Sequence, residues 1–211
     1  MRARRCLTAS VTVIIAGCAG PIPAPPHRAA ATTYLLGVDQ MVSPDFSFDT
    51  APHSLTAGDV AGTDRTAAQQ LTAAGFVSAA TDDLFRDVGS LALANGPVQV
   101  GDTVEEFQDA GGAAAVYGGD IARLDAVKSA TSVSTGALGD AAHATTVTAT
   151  STDGVMAVEI TLEWRVDNLV DILVVRGRAG ATRPDDALLL AHRQTVIELG
   201  LSTPAPRPTA S

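Results

Sequence analysis

The chain contains only two cysteines, Cys6 and Cys18, and both lie close to its start. No cysteine follows Cys18, so the rest of the chain can form neither a disulfide nor a thiolate metal site. A bridge between the two is not expected either, because the cytosol is reducing and the signal cleavage described below would separate them. Any folded domain must therefore be held together by its apolar core.

Positive charge is also scarce. Lys128 is the only lysine, and the formal net charge of the 211 residues is −9. Such a chain is repelled by nucleic-acid phosphates and by anionic lipid headgroups. The composition therefore predicts no nucleic-acid partner and a domain that stands off the bilayer surface.

No apolar run is long enough to cross a bilayer as a helix, which takes about 20 residues. The most apolar stretch, residues 7–15, directly follows Arg2, Arg4 and Arg5. A positive start and a short apolar run are typical of an export signal.

The next residues, Ile15-Ala16-Gly17-Cys18, resemble the lipobox of bacterial lipoproteins. The resemblance implies that residues 1–17 are a signal peptide, cut before Cys18, and that the Cys18 thiol carries a diacylglyceryl group. Each buried CH₂ contributes about 0.8 kcal/mol, so two or three acyl chains anchor a protein durably. We expect an extracytoplasmic protein on the outer leaflet of the cytoplasmic membrane, held there by lipid. A plain secretory signal or a short buried helix are the alternatives.

Proline-rich segments bound the expected domain. Residues 18–33 are predicted as the lipidated cysteine and an extended tether, and residues 202–211 as a disordered tail. The segment between them, residues 34–201, is long enough for a single globular domain.

Local signals predict three helices in this domain and one strand ahead of the second helix. The first helix begins near Asp64 and ends at Gly75, the second begins near Asp109, and the last has Pro184 in its first turn. The stretch "PVQVGDTVEEFQ" is predicted to be extended.

Residues 145–177 predict three antiparallel strands in a meander. Asp153-Gly154 is a two-residue hairpin signal, and apolar residues alternate with polar ones from Val158 to Val166. Together with the helices, this predicts an α+β domain: an antiparallel sheet with a C-terminal three-strand meander and helices packed on one face.

The turn near Asp167-Asn168 sets the register of the last two strands. A two-residue loop would place Trp164 opposite Asp171, an expensive position for a carboxylate. A three-residue loop instead places Trp164 opposite Ile172, so we expect the longer loop.

This register leaves two apolar side chains, Leu173 and Val175, on the outer face of the sheet. Trp164 is most simply a core residue, although a large ring can also floor a cavity for an apolar ligand. Trp164, Leu173 and Val175 are therefore the candidate ligand or partner surface.

Motifs for catalysis or metal binding are missing. No G-x-S-x-G, G-x-G-x-x-G or P-loop pattern occurs, and the histidines His53, His143 and His192 are not spaced as ligand pairs. No cofactor or metal is expected. Two acidic groups could be imagined as paired carboxylates or calcium ligands, but their spacing does not fit, and they are predicted to be solvated faces and caps. They are Asp82, Asp83, Asp87, Asp102, Glu105, Glu106 and Asp109.

Residues 66–199 are similar in rhythm to small exported lipoproteins of mycobacteria and related actinobacteria. The similarity lies in "AAGF" at a helix end, "GALGDAA", "WRVDNLV" and the terminal helix. The predicted function is a membrane-anchored envelope lipoprotein with a non-catalytic domain that binds an apolar ligand or an envelope protein. The alternative is an extracytoplasmic hydrolase or isomerase. Converging titratable side chains in a concave site would favour the enzyme, and an apolar cleft would favour binding.

Overall fold

The computed structural model describes His27 and residues 29–201. The expected signal peptide, Cys18, most of the tether and the C-terminal tail lie outside these residues. Within the described part, no helix is long and apolar enough to cross a membrane. The end of the expected tether, Ala31–Thr33, forms a 3₁₀ helix, and Ala31 packs in the core beside Tyr34.

The described chain forms seven strands and four α-helices, which confirms the α+β class. The strands are β1 Phe46–Leu55, β2 Phe76–Arg86, β3 Pro97–Phe107, β4 Thr131–Val133, β5 Ala141–Thr150, β6 Met156–Val166 and β7 Leu169–Arg178. The α-helices are α1 Ala57–Ala61, α2 Arg65–Ala73, α3 Ala110–Asp125 and α4 Pro184–Glu198.

All seven strands belong to one antiparallel sheet, in the order β1-β2-β3-β7-β6-β5-β4. The predicted meander is present as β5, β6 and β7, but it is less than half of the sheet. A second meander, β1 to β3, is joined to it where β3 pairs with β7. The central strands β3, β7 and β6 therefore position the interior of the domain.

The helix ends follow the local sequence signals. The Asp64 carboxylate accepts hydrogen bonds from the first backbone N–H groups of α2, and Asp109 does the same for α3. Gly75 follows the end of α2 with a φ of +78°, the left-handed conformation that glycine adopts without strain. Pro184 is the first residue of α4. The three predicted helices are confirmed.

Helices cover both faces of the sheet, so the prediction that they lie on one face is wrong. Helix α4 packs on the face that carries Leu173, and α1, α2 and α3 pack around Val170 and Phe107 on the other. We call these the α4 face and the α3 face. Strand β7 is apolar on both sides, which is typical of a central strand covered on both sides. The α4-face core includes Ile160, Leu162, Trp164, Val175, Ala187, Leu190 and Ala191.

The β6–β7 hairpin has a two-residue loop, so the predicted register is wrong. Trp164 pairs directly with Asp171, and both side chains lie on the α4 face. Asp167 supplies the tight turn by adopting a φ of 54°. Leu173 and Val175 are fully buried instead of exposed. Trp164 is likewise a core residue, and these three side chains offer no exposed surface.

The first hairpin also differs from its prediction. Strand β5 ends at Thr150 and β6 begins at Met156, so Asp153-Gly154 is not a two-residue loop. The Gly154 N–H donates to the carbonyl of Ser151, and the Gly154 φ is +80°. A turn followed by a left-handed glycine is typical of a longer hairpin loop.

Candidate functional site

Eight carboxylic acids are buried in this domain, which is unusual because aspartate and glutamate are almost never fully buried unless paired. They lie on β2, β3, β6, β7, α3 and α4. These residues are Asp82, Asp102, Glu105, Glu106, Asp120, Glu163, Asp171 and Glu198.

Four of these acids were expected on solvated faces, and that prediction is wrong. These four acids lie on the interior strands β2 and β3 and are buried. They are Asp82, Asp102, Glu105 and Glu106. Asp83 is half-buried on β2. Two acids do cap turns as predicted, because Asp87 accepts from the Gly89 N–H and Asp109 accepts from the Gly112 N–H.

One group of buried acids lies on the α4 face. Gln194 of α4 donates through Nε2 to Asp102 at 3.0 Å and to Asp171 at 3.4 Å. The backbone N–H of Leu36 donates to the other Asp102 oxygen at 2.8 Å. Glu198 follows one helical turn after Gln194. Side chains of three elements therefore meet under α4.

Burial raises the pKa of each carboxyl in this group. The pKa of Asp102 rises to about 7 and that of Glu198 to about 7, and the pKa of Asp171 rises well above its usual range. The charge of Glu198 adds to the rise for Asp171. These carboxyls are buried beneath α4, and none of them lines the cleft described below. We interpret it as part of the core.

A cleft lies on the α3 face, between the α1–α2 pair and α3. Its volume is about 690 Å³. Most of its lining is aliphatic: Val60, Ala61, Ala67, Leu71, Ala73, Ala74, Ala115 and Val116. At one end, Gly112 of α3 lies against the backbone of α2, where a Cβ would collide with the Ala74 carbonyl oxygen. Gly112 thus allows the close approach of α3 to the end of α2.

Glu105 of β3 is part of the lining of this cleft. The residue is only 2% exposed, and its Oε2 atom has no hydrogen-bond partner among the described residues. Burial raises the pKa of Glu105 to about 7, and the positive charge of Arg123 opposes that rise.

A second buried acid, Glu163 of β6, lies behind Glu105 on the same face. Burial raises the pKa of Glu163 to about 8, and the charge of Glu105 adds to the rise. Its Oε1 atom also has no partner in the part of the chain that the structure describes. Two buried carboxyls with raised pKa values therefore lie on the α3 face, and of the two only Glu105 lines the cleft.

The other charged residues of the lining already have partners. Asp120 forms an ion pair with Arg123 one turn later on α3. The Asp64 carboxylate is occupied by the backbone N–H groups that it caps. Among the charged residues of the lining, Glu105 is the buried one whose Oε2 atom has no hydrogen-bond partner in the described structure.

The histidines do not join this site as ligands. His143 pairs with Asp125, with 3.1 Å between Nε2 and Oδ1, and His53 contacts the carbonyl of Ala51 at 3.0 Å. His192 is exposed. Among the described residues, no three His, Cys, Asp or Glu side chains are grouped so that they could hold a metal.

The sequence contains one signal that points to Glu105. Its strand ends in Val104, Glu105, Glu106 and Phe107, where acids are enclosed by large apolar residues.

No known protein family matches this sequence, and no curated protein matches it. The fold is similar to that of the extracellular domain of PknH from Mycobacterium tuberculosis. That structure is 13% identical, with a TM-score of 0.50, and the match covers 86% of this chain and all of the other. A putative uncharacterized protein from Mycobacterium smegmatis is 11% identical over 80% of this chain and 96% of its own, with a TM-score of only 0.34. The first similarity concerns the fold alone.

Proposed function

We propose that this chain is a lipid-anchored cell-envelope protein whose domain binds a small, largely apolar molecule in the cleft between α2 and α3. The observation that carries the proposal is the cleft itself. Its volume of about 690 Å³ is that of a small-molecule site, and a mostly aliphatic lining with a few polar groups is typical of such sites.

Two observations support a location outside the cytoplasm. Residues 15–18 resemble a lipobox, and the fold is similar to a mycobacterial extracellular domain. The lipid on Cys18 would tether the domain to the outer leaflet. Cleavage would also remove Arg2, Arg4 and Arg5, which changes the net charge from −9 to −12.

Binding is favoured over catalysis by the composition of the cleft. Its described lining contains no serine, threonine, cysteine, histidine, lysine or tyrosine. Asp120 is paired, so Glu105 has no free second acid or base in the lining. General acid-base chemistry on a neutral substrate usually needs two such groups. The hydrolase or isomerase remains the alternative hypothesis, and a protein partner remains a prediction.

The cleft is tested by filling it. Gly118 and Gly119 are neighbours on α3, and an added Cβ meets nothing within 4 Å at either, but only Gly119 lines the cleft. We expect Gly119→Phe to abolish binding of 1-octanol, measured by calorimetry on the full chain. Gly118→Phe introduces the same ring outside the cleft and should leave binding unchanged. Failure of the unmodified protein to bind any such apolar probe would refute the proposal.

The anchor is tested with the chain's own pair of cysteines. Cys18→Ala should abolish incorporation of a clickable fatty acid in a bacterial host, because the acceptor thiol is gone. Cys6→Ala is the matched control and should be labelled like the unmodified protein. Equal labelling of the Cys18→Ala protein would contradict the lipoprotein assignment.

A further inference from the structure

We propose that the ligand of this cleft carries a protonated amine, which pairs with Glu105 while its apolar part lies between α2 and α3. This inference rests on the proposed function and specifies the chemical class of the ligand as a cationic amphiphile.

The first argument is the state of Glu105. The side chain is 98% buried and lines the cleft, yet one of its oxygens has no donor in the described structure. Buried polar atoms are nearly always hydrogen-bonded, so an orphaned one at a cavity wall indicates a missing partner. An ammonium group supplies three donors and no acceptor, which suits a carboxylate that lacks donors.

The second argument is charge. The lining holds Asp64, Glu105 and Asp120 against the single cation Arg123, and Glu163 adds another carboxyl behind Glu105. Arg123 is paired with Asp120, and its side chain is 73% exposed, so it compensates Glu105 poorly. An anionic headgroup would be repelled here. A neutral one would leave an ionised Glu105 without compensation.

The third argument is that the ligand's ammonium group can replace a proton on the Glu105 carboxyl. With its pKa near 7, Glu105 is partly protonated in the free protein at neutral pH. The charged groups around it are Asp120 and Arg123 of α3, Asp64 at the start of α2 and Glu163 of β6. An incoming ammonium displaces the proton, because the carboxylate form is the one that pairs with it.

This exchange makes the affinity depend on pH in a definite direction. As pH increases towards 7, the affinity for the amine should increase by up to tenfold per pH unit, because the proton must leave Glu105 before the amine can pair with it. Above about pH 7 to 8 it should level off, and an alkylamine, like lysine, keeps its charge until about pH 10. A neutral ligand that accepts a hydrogen bond from protonated Glu105 would show the opposite trend.

The test compares three probes with the same alkyl chain: octylamine, 1-octanol and octanoate. At pH 8 we expect the full chain to bind octylamine at least tenfold more tightly than 1-octanol, and octanoate more weakly than both. Glu105→Gln should remove the preference for the amine while keeping the binding of 1-octanol. Glu106→Gln is the matched control, because Glu106 is also buried but lies on the α4 face of the same strand.

The outcomes separate this inference from the proposed function. If 1-octanol binds and octylamine binds no better, the amine proposal is wrong and the cleft proposal stands. If none of the three probes binds, the cleft proposal itself fails. A Glu105→Gln protein that retains the amine preference also refutes the inference. If that variant binds no probe, the unmodified protein provides the test. Its affinity for octylamine should rise between pH 6 and pH 8, and an affinity that does not rise overturns the inference.

Discussion

Asp102→Asn should make the stability of this protein less sensitive to pH. The carboxyl is fully buried, accepts from the Leu36 N–H and from Gln194 Nε2, and lies beside Asp171 and Glu198. Asparagine keeps an acceptor for the Leu36 N–H. The Gln194 carbonyl oxygen, which has no partner among the described residues, can accept from the new amide.

The magnitude follows from the pKa of Asp102, which burial raises from its ordinary value of 3.8 to about 7. Between these values the unfolded chain has released the proton and the folded protein has not, so stability falls as pH rises. Each pH unit costs about 1.4 kcal/mol, which makes about 4 kcal/mol between pH 4 and 8 for this group. That is a large share of the 5–15 kcal/mol typical of a domain.

The assay is urea unfolding at intervals from pH 4 to pH 9. The unmodified protein should lose stability steeply up to about pH 7, and the Asp102→Asn curve should be flatter by up to about 1.4 kcal/mol per pH unit. Asp49→Asn removes the same charge from an exposed site on β1, and its curve should run parallel to that of the unmodified protein. Parallel curves for Asp102→Asn and the unmodified protein would show that Asp102 is not held protonated by burial.

Two further substitutions test the backbone geometry. Gly112→Ala should destabilise the domain by about 1–3 kcal/mol and weaken 1-octanol binding, because the new methyl group meets the Ala74 carbonyl and pushes α3 away from α2. Unchanged urea unfolding and unchanged binding would contradict this contact. Asp167→Gly should stabilise the domain by about 0.5–1 kcal/mol in urea unfolding, because glycine adopts the positive φ of 54° without strain. A loss of stability would mean that the Asp167 side chain contributes more to stability than the strained turn costs.

The helices were predictable because their ends are decided locally. Asp64, Asp109 and Pro184 act within one turn of chain, through capping hydrogen bonds or a fixed φ, and need no knowledge of the rest of the fold. Helix α4 adds acidic residues in its first turn, where they interact with the helix dipole.

Strands β1 and β2 were not predicted, because their sequences carry little of the alternation that marks a strand. Strand β1 contains Pro52 and is almost entirely exposed, as an edge strand can be. Strand β2 contains Asp82 and Asp83 in its middle. Strand β1 pairs with β2, and β2 pairs with β3, so local sequence patterns do not report either pairing.

The register error at Trp164 and Asp171 came from an assumption about charge. A carboxylate opposite a core tryptophan is costly, but a protonated carboxyl near Gln194 costs far less. The sequence alone shows neither the protonation nor the glutamine, which α4 brings from 23 residues away. The same assumption placed Asp102 and Glu105 on solvated faces.

Burial raises the pKa of carboxyls on both faces of the sheet, yet only one face can serve a ligand. On the α4 face, Asp102 has donors from Gln194 and Leu36, and a helix closes over it. On the α3 face, Glu105 lacks a donor in the described structure and lies at a cavity that its helices leave open. A shifted pKa is therefore common to core and site, and carboxyl oxygens without a partner occur on both faces, at Asp171 and Glu198 as well as at Glu105. What separates the two groups is that only Glu105 lines a cleft. By that criterion, Glu105 is the position where loss of a carboxyl should change binding more than folding.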